Sequence, residues 1–419
     1  MDTVLALADC QNFYCACERL FRPDLWSRPV AVLSNNDGCV IARSAEVKAM
    51  GVPMGAPYFK VKDRLEAAGV AVFSSNYALY ADCSWRVMTA LRREAQALEA
   101  YSIDEAFLEL PDLGHAALLD WARAARRRVR RATGIPVRIG VGRTKTLAKV
   151  ASRRAKQTGR ATFCLAGHPQ HDAQLGAVDV GDVWGIGRRY EARLTQAGVC
   201  TAQALRDVPV PWARRTLTVR GARTVQELRG RRCLTLETGP APRKSVIRSR
   251  SFGQPVHTLK AVREAVATHT SRAAEKARGA ERLAGHLQVF VEAGPSAVDL
   301  TYRNAAALPL EPPTHHTPTL LRAARRCLGS IWREGLAYRK AGVLLSGLRP
   351  ETPRQAHLFD PGTHPEQAAL METIDQINRR MGRGTLRWAS AMVSDPASGW
   401  TMRQQQRSDR YTTRWDELR

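Results

Sequence analysis

Two neighbouring acidic residues interrupt an otherwise apolar stretch in the first third of the chain. Asp104 and Glu105 lie between aromatic and apolar residues at 101–103 and 106–108, which are typical of a buried strand. Acidic side chains rarely enter such a strand unless they are paired or bind a metal ion. Because adjacent strand side chains point to opposite faces, two carboxylates can serve one site only where the chain turns or bulges. The stretch therefore predicts a hairpin tip that presents two carboxylates, although an ordinary exposed turn gives the same short pattern.

A third acidic residue ends another apolar run near the start of the chain. The run from Val4 to Ala8 leads into Asp9, and the aromatic residues Phe13 and Tyr14 follow. Three carboxylates are about what two Mg²⁺ ions need when phosphate oxygens and water complete their octahedral shells. Two such ions about 4 Å apart form a clamp for in-line phosphoryl displacement. Asp9, Asp104 and Glu105 therefore predict a site for two Mg²⁺ ions.

The charge of the chain restricts its partners. Its 64 lysines and arginines outnumber 39 acidic residues, which gives a net charge of +25, and nucleic acid is the usual partner of so basic a protein. We expect no membrane association, because no basic amphipathic helix with an aromatic face and no apolar run of about 18 residues is found. The first residues do not resemble a signal peptide, and the nine cysteines are scattered. A cytoplasmic protein with reduced thiols is therefore expected.

Several further segments occur in a characteristic order. They are SNNDGCVIARS from Ser34, SSNYALYAD from Ser74, SIDEAF from Ser102, VWGIGRR from Val183, and RYTTRWDEL near the C-terminal end. With Asp9 and the aromatic pair after it, the chain resembles the Y-family translesion DNA polymerases almost from end to end. Within that family it is most similar to the UmuC type, the catalytic subunit of bacterial DNA polymerase V and its plasmid-borne relatives.

The resemblance implies an α+β multidomain fold shaped as a right-hand polymerase. Its parts would be a palm, small fingers, a helical thumb with a helix-hairpin-helix, and a ferredoxin-like little finger, which the predicted order βαββαβ in the C-terminal half supports. Irregularly alternating strands and helices predict a mixed palm sheet with helices on one face. The predicted boundaries are 1–165 for the palm with fingers inserted at about 22–75, 166–237 for the thumb, 238–245 for a linker, 246–350 for the little finger and 351–419 for a C-terminal tail.

The resemblance also assigns roles around the carboxylates. Asp9, Asp104 and Glu105 would be catalytic and would hold the two Mg²⁺ ions, with the backbone carbonyl of Cys10 as a further ligand. Tyr14 matches the steric gate that excludes ribonucleotides. The roof over the new base pair would be formed by Cys39 and Ile41.

The residues that hold the incoming triphosphate depart from the family pattern. A tyrosine and an arginine of the family's fingers helix correspond here to Ala45 and Lys48, so the tyrosine is missing and the bidentate fork of arginine is lost. Arg43 is expected to share the task, and Lys156 matches the lysine that contacts the triphosphate from the palm. Lys48 could equally be a solvated helix residue.

Contacts to the DNA backbone are expected in two places. Two glycines of the Gly-x-Gly turn, Gly185 and Gly187, with Arg188 at the start of a helix, would approach a phosphate. In the little finger, five basic residues are expected to contact phosphates, although any one of them could also be a plain surface charge. These residues are Arg248, Arg250, Arg303, Arg339 and Lys340.

The tail carries a pattern that resembles the sliding-clamp motif of bacterial polymerases. Gln355 is followed by Leu358 and Phe359, which fits a peptide whose apolar end fills a pocket. Beyond it lies an amphipathic helix around Leu370 to Ile377 and a basic segment with three tryptophans. In the UmuC group this region engages a UmuD′-like dimer and the RecA filament, whereas self-packing against the little finger is the alternative.

Together with the carboxylates, the resemblance implies an error-prone translesion DNA-directed DNA polymerase that uses two Mg²⁺ ions in the SOS response to DNA damage. Its substrates would be primer-template DNA and deoxynucleoside triphosphates. Two alternatives come from other classes: a metal-dependent nuclease, which also uses clustered acids, and a non-catalytic DNA-binding repair factor, in which the acids are structural. Neither alternative accounts for Tyr14 beside the first acid together with the triphosphate-binding lysine.

Overall fold

The computed structural model describes residues 3–239, 242–294, 301–351, 365–382, 384–391 and 399–417. The chain forms two compact units. The first comprises residues 1–34, 38–240 and 406–419, and the second comprises 35–37 and 241–405. The end of the chain therefore belongs to the same unit as its beginning.

The first unit contains eight strands and ten helices among its described residues. The strands are β1 (Thr3–Cys10), β2 (Val30–Leu33), β3 (Val40–Arg43), β4 (Ala71–Ser74), β5 (Ala97–Ala100), β6 (Glu105–Pro111), β7 (Val137–Gly142) and β8 (Thr162–Cys164). The helices are α1 (Phe13–Leu20), α2 (Ala45–Ala49), α3 (Tyr58–Ala67), α4 (Tyr77–Arg92), α5 (His115–Thr133), α6 (Lys145–Gln157), α7 (His171–Gly176), α8 (Arg188–Gln196), α9 (Ala202–Asp207) and α10 (Val210–Leu228).

A five-stranded mixed sheet forms the palm of the first unit. Its strand order is β5-β6-β1-β7-β8, and only the pairing of β7 with β8 is parallel. One face carries Ala6 and Ala8 of the central strand, which pack in one cluster with Val87 of α4 and Ala122 of α5. The apolar run of β1 is continuous, and every second residue of it packs on this face under two helices.

The opposite face of this sheet is covered by α6, so the prediction of helices on one face only was wrong. Leu7 of β1 and Phe107 of β6 pack there against Ala148 of α6. Two glycines of β7 permit the approach: a Cβ at Gly140 would lie 2.6 Å from the Ala148 carbonyl oxygen, and one at Gly142 would lie 2.6 Å from the Ala148 nitrogen. Only glycine fits between strand and helix at this distance.

A second, smaller sheet of the first unit has the order β3-β2-β4. β2 pairs with β3 antiparallel and with β4 parallel. Buried residues of this sheet pack against Val47 of α2 and Leu65 of α3. β2 and β3 form a hairpin that the short helix α2 follows, within the range predicted for the fingers.

The helices α7 to α10 build the thumb around an apolar cluster that includes Leu194 and Leu205. Gly187 caps α8, and the hydroxyl of Thr201 caps α9 by accepting from the nitrogen of Ala204 at 3.1 Å. Capping residues at both starts explain where these helices begin. The long helix α10 was not predicted from the sequence.

The second unit is built around a four-stranded antiparallel sheet with the order β11-β10-β12-β9. Two helices cover one face, and the element order βαββαβ is the predicted one. Part of the strand predicted at 298–302 lies outside the described residues. The elements are β9 (Ser245–Val256), α11 (Leu259–Arg278), β10 (Arg282–Ala293), β11 (Tyr302–Thr314), α12 (Thr317–Ile331), β12 (Tyr338–Ser346) and the short β13 (Arg349–Pro350).

The tail of the second unit contains helix α13 (Pro365–Arg380). Asp375 of this helix accepts from the Nε of Arg278 on α11 at 2.7 Å, and both side chains are largely buried. Trp400 is 5% exposed in the same apolar cluster as α11 and α12. This part of the tail therefore packs on its own unit, which was the alternative to a partner surface. Of the helices that the structure describes, none has the length and apolar character to span a membrane.

Candidate active site

The acidic pair lies at the tip of the hairpin that joins β5 and β6. The Ser102 hydroxyl accepts from the backbone nitrogens of Asp104 and Glu105 at 3.2 and 3.0 Å, and it donates to Oδ1 of Asp104 at 2.7 Å. The nitrogens of Tyr101 and Ser102 donate to the Glu105 carbonyl. These hydrogen bonds of the Ser102 hydroxyl pair the backbone nitrogens of the turn, which explains why the chain reverses at this point.

Asp9 lies directly opposite Glu105 where β1 pairs with β6. One step further, the nitrogen of Cys10 donates to the carbonyl of Asp104 at 2.8 Å. The backbone therefore brings the ends of two neighbouring strands, and all three acids, to one edge of the sheet. Burial raises the pKa of Asp9 to about 6, and the nearby carboxylates of Glu105 and Asp104 add to the rise. The three acids are close enough to repel one another.

Two cations that the sequence analysis did not single out face these acids. Lys149 of α6 lies 3.0 Å from Oε2 of Glu105, and Arg138 of β7 lies 3.7 Å from Oδ2 of Asp9. The ammonium of Lys149 also lies 4.5 Å from the ring centroid of Tyr101 and 5.4 Å from that of Trp184. Both cations are positioned by elements that pack against β1, and they offset part of the charge of the acids.

The spacing of lysines along α6 was the available signal for Lys149. Lys145, Lys149 and Lys156 recur at intervals of four and seven, which places them on one face of a helix. Lys145 is buried and lies 2.5 Å from Oε2 of Glu99 in β5. Such a pair anchors the start of α6 beside the sheet, so that the next lysine along the face lies beside Glu105.

The residues present fit a pair of divalent ions in chemistry. Within the described ranges, no three Asp, Glu, His or Cys side chains are gathered tightly enough to hold one ion as they stand, and Lys149 donates to both carboxylate oxygens of Glu105. Carboxylate oxygens are the ligands that Mg²⁺ prefers. Burial first, and then the charges of Glu105 and Asp104, raise the pKa of Asp9, and a bound cation would favour its ionised form. The carboxylates of Asp9, Asp104 and Glu105 therefore have the chemistry that a divalent ion needs.

Tyr14 is the second residue of α1 and contacts two aromatic residues of α4. Its ring stacks on Tyr80 at 4.5 Å with an interplanar angle of 17°, and it meets the edge of Tyr77 at 6.1 Å. Burial and the neighbouring Tyr77 raise the pKa of the Tyr14 hydroxyl, and Asp104 contributes to the rise. The ring is therefore fixed near the acidic hairpin tip and remains partly exposed.

The residues predicted to bind the triphosphate lie near one another. The pKa of Lys48 is lowered by burial, and then by the positive charges of Lys156 and Arg43. Nζ of Lys48 donates to the side-chain oxygen of Asn12, which precedes α1, and Arg43 donates to the carbonyl of Val52. Lys156 and Arg43 therefore act on the charge of Lys48, and a polyanion would be attracted to these cations.

The predicted roof residues belong to the fingers. Cys39 precedes β3 and forms an isolated bridge with Pro57, and its nitrogen donates to the Ser34 hydroxyl at 3.1 Å. Ile41 lies in β3 and packs partly buried against the palm cluster. Backbone pairing therefore fixes the positions of both residues: Cys39 through its bridge and Ile41 through its strand.

The Gly-x-Gly turn lies exposed at the start of α8. Gly185 has a φ of 91°, which favours glycine, while Ile186 between the glycines is buried in the thumb cluster. Gly187 and Arg188 are exposed, and a Cβ at Gly187 would meet nothing within 4 Å. The helix start is therefore open to an anionic partner.

The basic residues predicted in the little finger divide between two faces of its sheet. Arg248 and Arg250 lie on the helix-covered face of β9, the same face as the buried Val246 and Phe252. They line a cavity of about 390 Å³ together with residues of α11.

The open face of the same sheet carries Arg303 and Lys340. Lys340 lies 3.3 Å from Oε1 of Glu292 and 5.7 Å from the ring centroid of Phe290. Arg339 precedes it and is exposed. Gln355, Leu358 and Phe359 of the clamp-binding prediction lie outside the described residues.

Comparison with solved structures identifies this architecture. The Y-family DNA polymerase chimera of Dbh and Dpo4 aligns with a TM-score of 0.64 at 19% identity, over 83% of this chain and 99% of that chain. Palm, fingers, thumb and little finger thus form the fold of a Y-family DNA polymerase.

Sequence comparison gives the family. Residues 8–153 match the impB/mucB/samB family, 243–358 match the C-terminal domain of that family, and 368–419 match a domain of unknown function. The chain is 42% identical to Protein UmuC of Salmonella typhimurium over 99% of both chains. It is 29% identical to DNA polymerase IV of Moorella thermoacetica over 94% of this chain and 97% of the relative. The chain belongs to the impB/mucB/samB family of Y-family DNA polymerases.

Proposed function

We propose that this DNA polymerase copies damaged templates with low fidelity in the SOS response. The observation that carries the proposal is the meeting of three carboxylates, on the ends of β1 and β6, with the cations of α6 and β7. Nucleotidyl transfer needs negative ligands for metal ions and positive groups for the triphosphate. The small fingers and the modest size of Cys39 and Ile41 support the tolerance of damaged bases.

Asp9, Asp104 and Glu105, with the backbone carbonyl of Cys10, would hold two Mg²⁺ ions. Such ions, when bound, lower the pKa of the primer 3′-hydroxyl and offset charge on the triphosphate and on the leaving pyrophosphate. The hairpin tip keeps the carboxylates at the sheet edge. Lys149 compensates the negative charge of Glu105 when no metal ion is bound.

The cations of the fingers and the palm bind and orient the triphosphate in this proposal. Lys156 and Arg43 both oppose the positive charge of Lys48, whose pKa burial lowers first, so an anion bound among these cations would favour that charge. Lysines act as point charges on phosphate oxygens. The loss of the family's arginine fork at position 48 predicts weaker orientation of the triphosphate than arginine would give.

Tyr14 would exclude ribonucleotides. Its ring is fixed by stacking on Tyr80, and a rigid ring beneath the deoxyribose clashes with a 2′-hydroxyl. The rigidity is essential, since a mobile ring would yield to the extra oxygen atom.

Contacts to DNA and to proteins complete the proposal. Gly185, Gly187 and Arg188 would bind a phosphate without sequence preference, and the basic residues of the little finger would bind others. The segment from Gln355 to Phe359 would bind the sliding clamp. We also propose that a UmuD′-like dimer and a RecA filament engage the tail.

Single-nucleotide incorporation tests the proposed reaction. The full-length chain would receive a primer on an undamaged template and one deoxynucleotide at a time, with Mg²⁺. Template-directed addition of one nucleotide, abolished by Asp104→Asn, is the expected result. Shortened primers would favour a metal-dependent nuclease, and DNA binding without any chemistry would favour a non-catalytic DNA-binding factor.

A further inference from the structure

Residues 406–411, close to the C-terminal end of the chain, pack in the first unit beside β4 and α4. The nitrogen of Ser74 donates to the carbonyl of Gln406, and the nitrogen of Gln406 donates to the Ser74 hydroxyl, both at 3.0 Å. Arg407 pairs with Ser74 as a parallel bridge. This segment, which we call the gate strap, belongs to the domain of unknown function.

The gate strap is bound by the residue that caps α4. Oδ1 of Asn76 accepts from the nitrogen of Leu79 at the start of the helix. Nδ2 of Asn76 donates to the carbonyl and the hydroxyl of Ser408 at 3.1 and 3.0 Å, and to the carbonyl of Asp409 at 3.1 Å. One amide side chain thus fixes the helix start and the gate strap together.

Ser408 connects the gate strap to a carboxylate in the interior. The hydroxyl of Ser408 donates to Oε1 of Glu18 at 3.1 Å, and the hydroxyl of Tyr80 donates to the same oxygen at 2.6 Å. Glu18 is fully buried, and burial raises its pKa to about 7 while these two hydrogen bonds oppose the rise. A buried carboxyl is stable only with such partners, and the proposed reaction gives Glu18 no other task.

Tyr80 links this carboxyl to the steric gate. Its ring stacks on Tyr14 at 4.5 Å, while its hydroxyl is held by Glu18. Tyr14 and Glu18 are four residues apart on α1, so they share one face of the helix. The gate strap makes a second contact just after the end of this helix, where the ring of Tyr411 stacks on that of Phe21 at 4.9 Å.

We propose that the gate strap is a positioning element for ribonucleotide exclusion. Ser408 is the positioning residue: it holds Glu18, Glu18 holds the hydroxyl of Tyr80, and the Tyr80 ring fixes the ring of Tyr14. The proposal rests on the proposed polymerase function and gives the end of the domain of unknown function a role in substrate selection.

Incorporation kinetics of full-length variants tests the proposal. The ratio of kcat/KM for dCTP to that for rCTP opposite guanine would be measured for Ser408→Ala, for Tyr80→Phe and for the double variant. Arg414→Ala is the matched control, since this strap neighbour pairs only with residues close in sequence, Asp416 and Glu417, among the described contacts. Ser408→Ala should lower the ratio about threefold to tenfold, the range that one hydrogen bond controls. The KM for rCTP should fall, while kcat for dCTP should stay within about twofold of wild type.

The double variant shows whether Ser408 acts through Tyr80. Tyr80→Phe keeps the stacked ring and removes only the hydroxyl, so it should lower the ratio as well. The double variant should then lose no more than Tyr80→Phe alone, because both changes cut the same path. An unchanged ratio in Ser408→Ala, or fully additive losses, would overturn the proposal.

A spectroscopic measurement keeps the proposal separate from the polymerase activity. The full chain labelled with 3-fluorotyrosine would give a ¹⁹F signal for Tyr14, assigned by Tyr14→Phe. Ser408→Ala should shift or broaden this signal, and Arg414→Ala should not. Thermal denaturation would verify that both variants are folded. If wild type adds no nucleotide, the proposed function fails while this signal still decides the role of the strap. An unchanged signal in Ser408→Ala would overturn that role.

Discussion

The ammonium of Lys149 lies 3.0 Å from Oε2 of Glu105, beneath the acidic hairpin tip. Both side chains are mostly buried, so the pair is screened little by solvent. The same carboxylate is one of three that would hold divalent ions. In the proposed metal site, Mg²⁺ would therefore compete with Lys149 for the carboxylate of Glu105.

Replacing Lys149 tests this competition. Lys149→Met leaves Glu105 without its cation, so in EDTA the free energy of unfolding should fall by about 1–3 kcal/mol. Mg²⁺ should then raise the melting temperature more than it does in wild type, because the ion meets no competitor. Thermal denaturation with and without Mg²⁺ measures both effects.

Lys62→Met is the matched control, because Lys62 pairs with Glu66 on the surface of α3. It should change neither quantity measurably. Equal stabilisation of wild type and Lys149→Met by Mg²⁺ would contradict the competition.

Asp9 gives a prediction on pH. Its folded-state pKa is raised from 3.8 to about 6, so ionisation of Asp9 costs stability. This cost is absent below about pH 4 and complete above about pH 6. Between these values, metal-free wild type should lose stability relative to Asp9→Asn as the pH rises. The variant should be more stable at pH 7.5 and inactive.

Denaturant titrations in EDTA across this pH range measure the difference. Glu18, whose pKa is also raised, contributes equally to both proteins and cancels in the comparison. A constant difference between wild type and Asp9→Asn from pH 4 to 7 would show that Asp9 does not titrate in this window.

The hairpin tip shows how far the sequence determines this site. Adjacent acids inside an apolar stretch predict a turn, and the structure has that turn between β5 and β6. The facing of Asp9 and Glu105 follows from strand pairing, which no local pattern specifies. Lys149 could have been found from its spacing on α6, but Arg138 could not, since its side chain reaches Asp9 only because β7 pairs with β1.

The positions of the gate strap and of α6 depend on contacts with distant parts of the chain. Nothing in the local pattern of 406–411 indicates that Ser408 meets Asn76, 332 residues earlier. The place of α6 depends on Gly140 and Gly142, whose missing side chains let a helix approach. Glycines in a strand suggest a close approach without naming the neighbour.

The steric gate gives a third prediction. Tyr14→Ala should lower discrimination against ribonucleotides by about 10²-fold, because removal of the ring opens space for the 2′-hydroxyl. Tyr14→Phe should keep discrimination, since it keeps the stacked ring. Incorporation of dCTP and rCTP opposite guanine measures both, and full discrimination by Tyr14→Ala would exclude the assigned role.

The cations around the triphosphate give a fourth prediction. Lys156→Ala and Lys48→Ala should each raise the KM for deoxynucleotides about tenfold, which corresponds to about 1.4 kcal/mol of binding. Lys48→Arg should lower the KM if the bidentate fork still reaches the phosphates. Steady-state incorporation measures these values, with Lys60→Ala on α3 as the control. A normal KM in Lys48→Ala would identify Lys48 as a surface residue.

Primer extension across an abasic site tests the central claim most directly. The full-length chain would be given Mg²⁺ and all four deoxynucleotides, with and without a UmuD′-like dimer and an activated RecA filament. The account predicts extension past the lesion in at least one condition and none with Asp104→Ala under the same conditions. Equal bypass by Asp104→Ala, or no bypass by wild type in any condition, would contradict it.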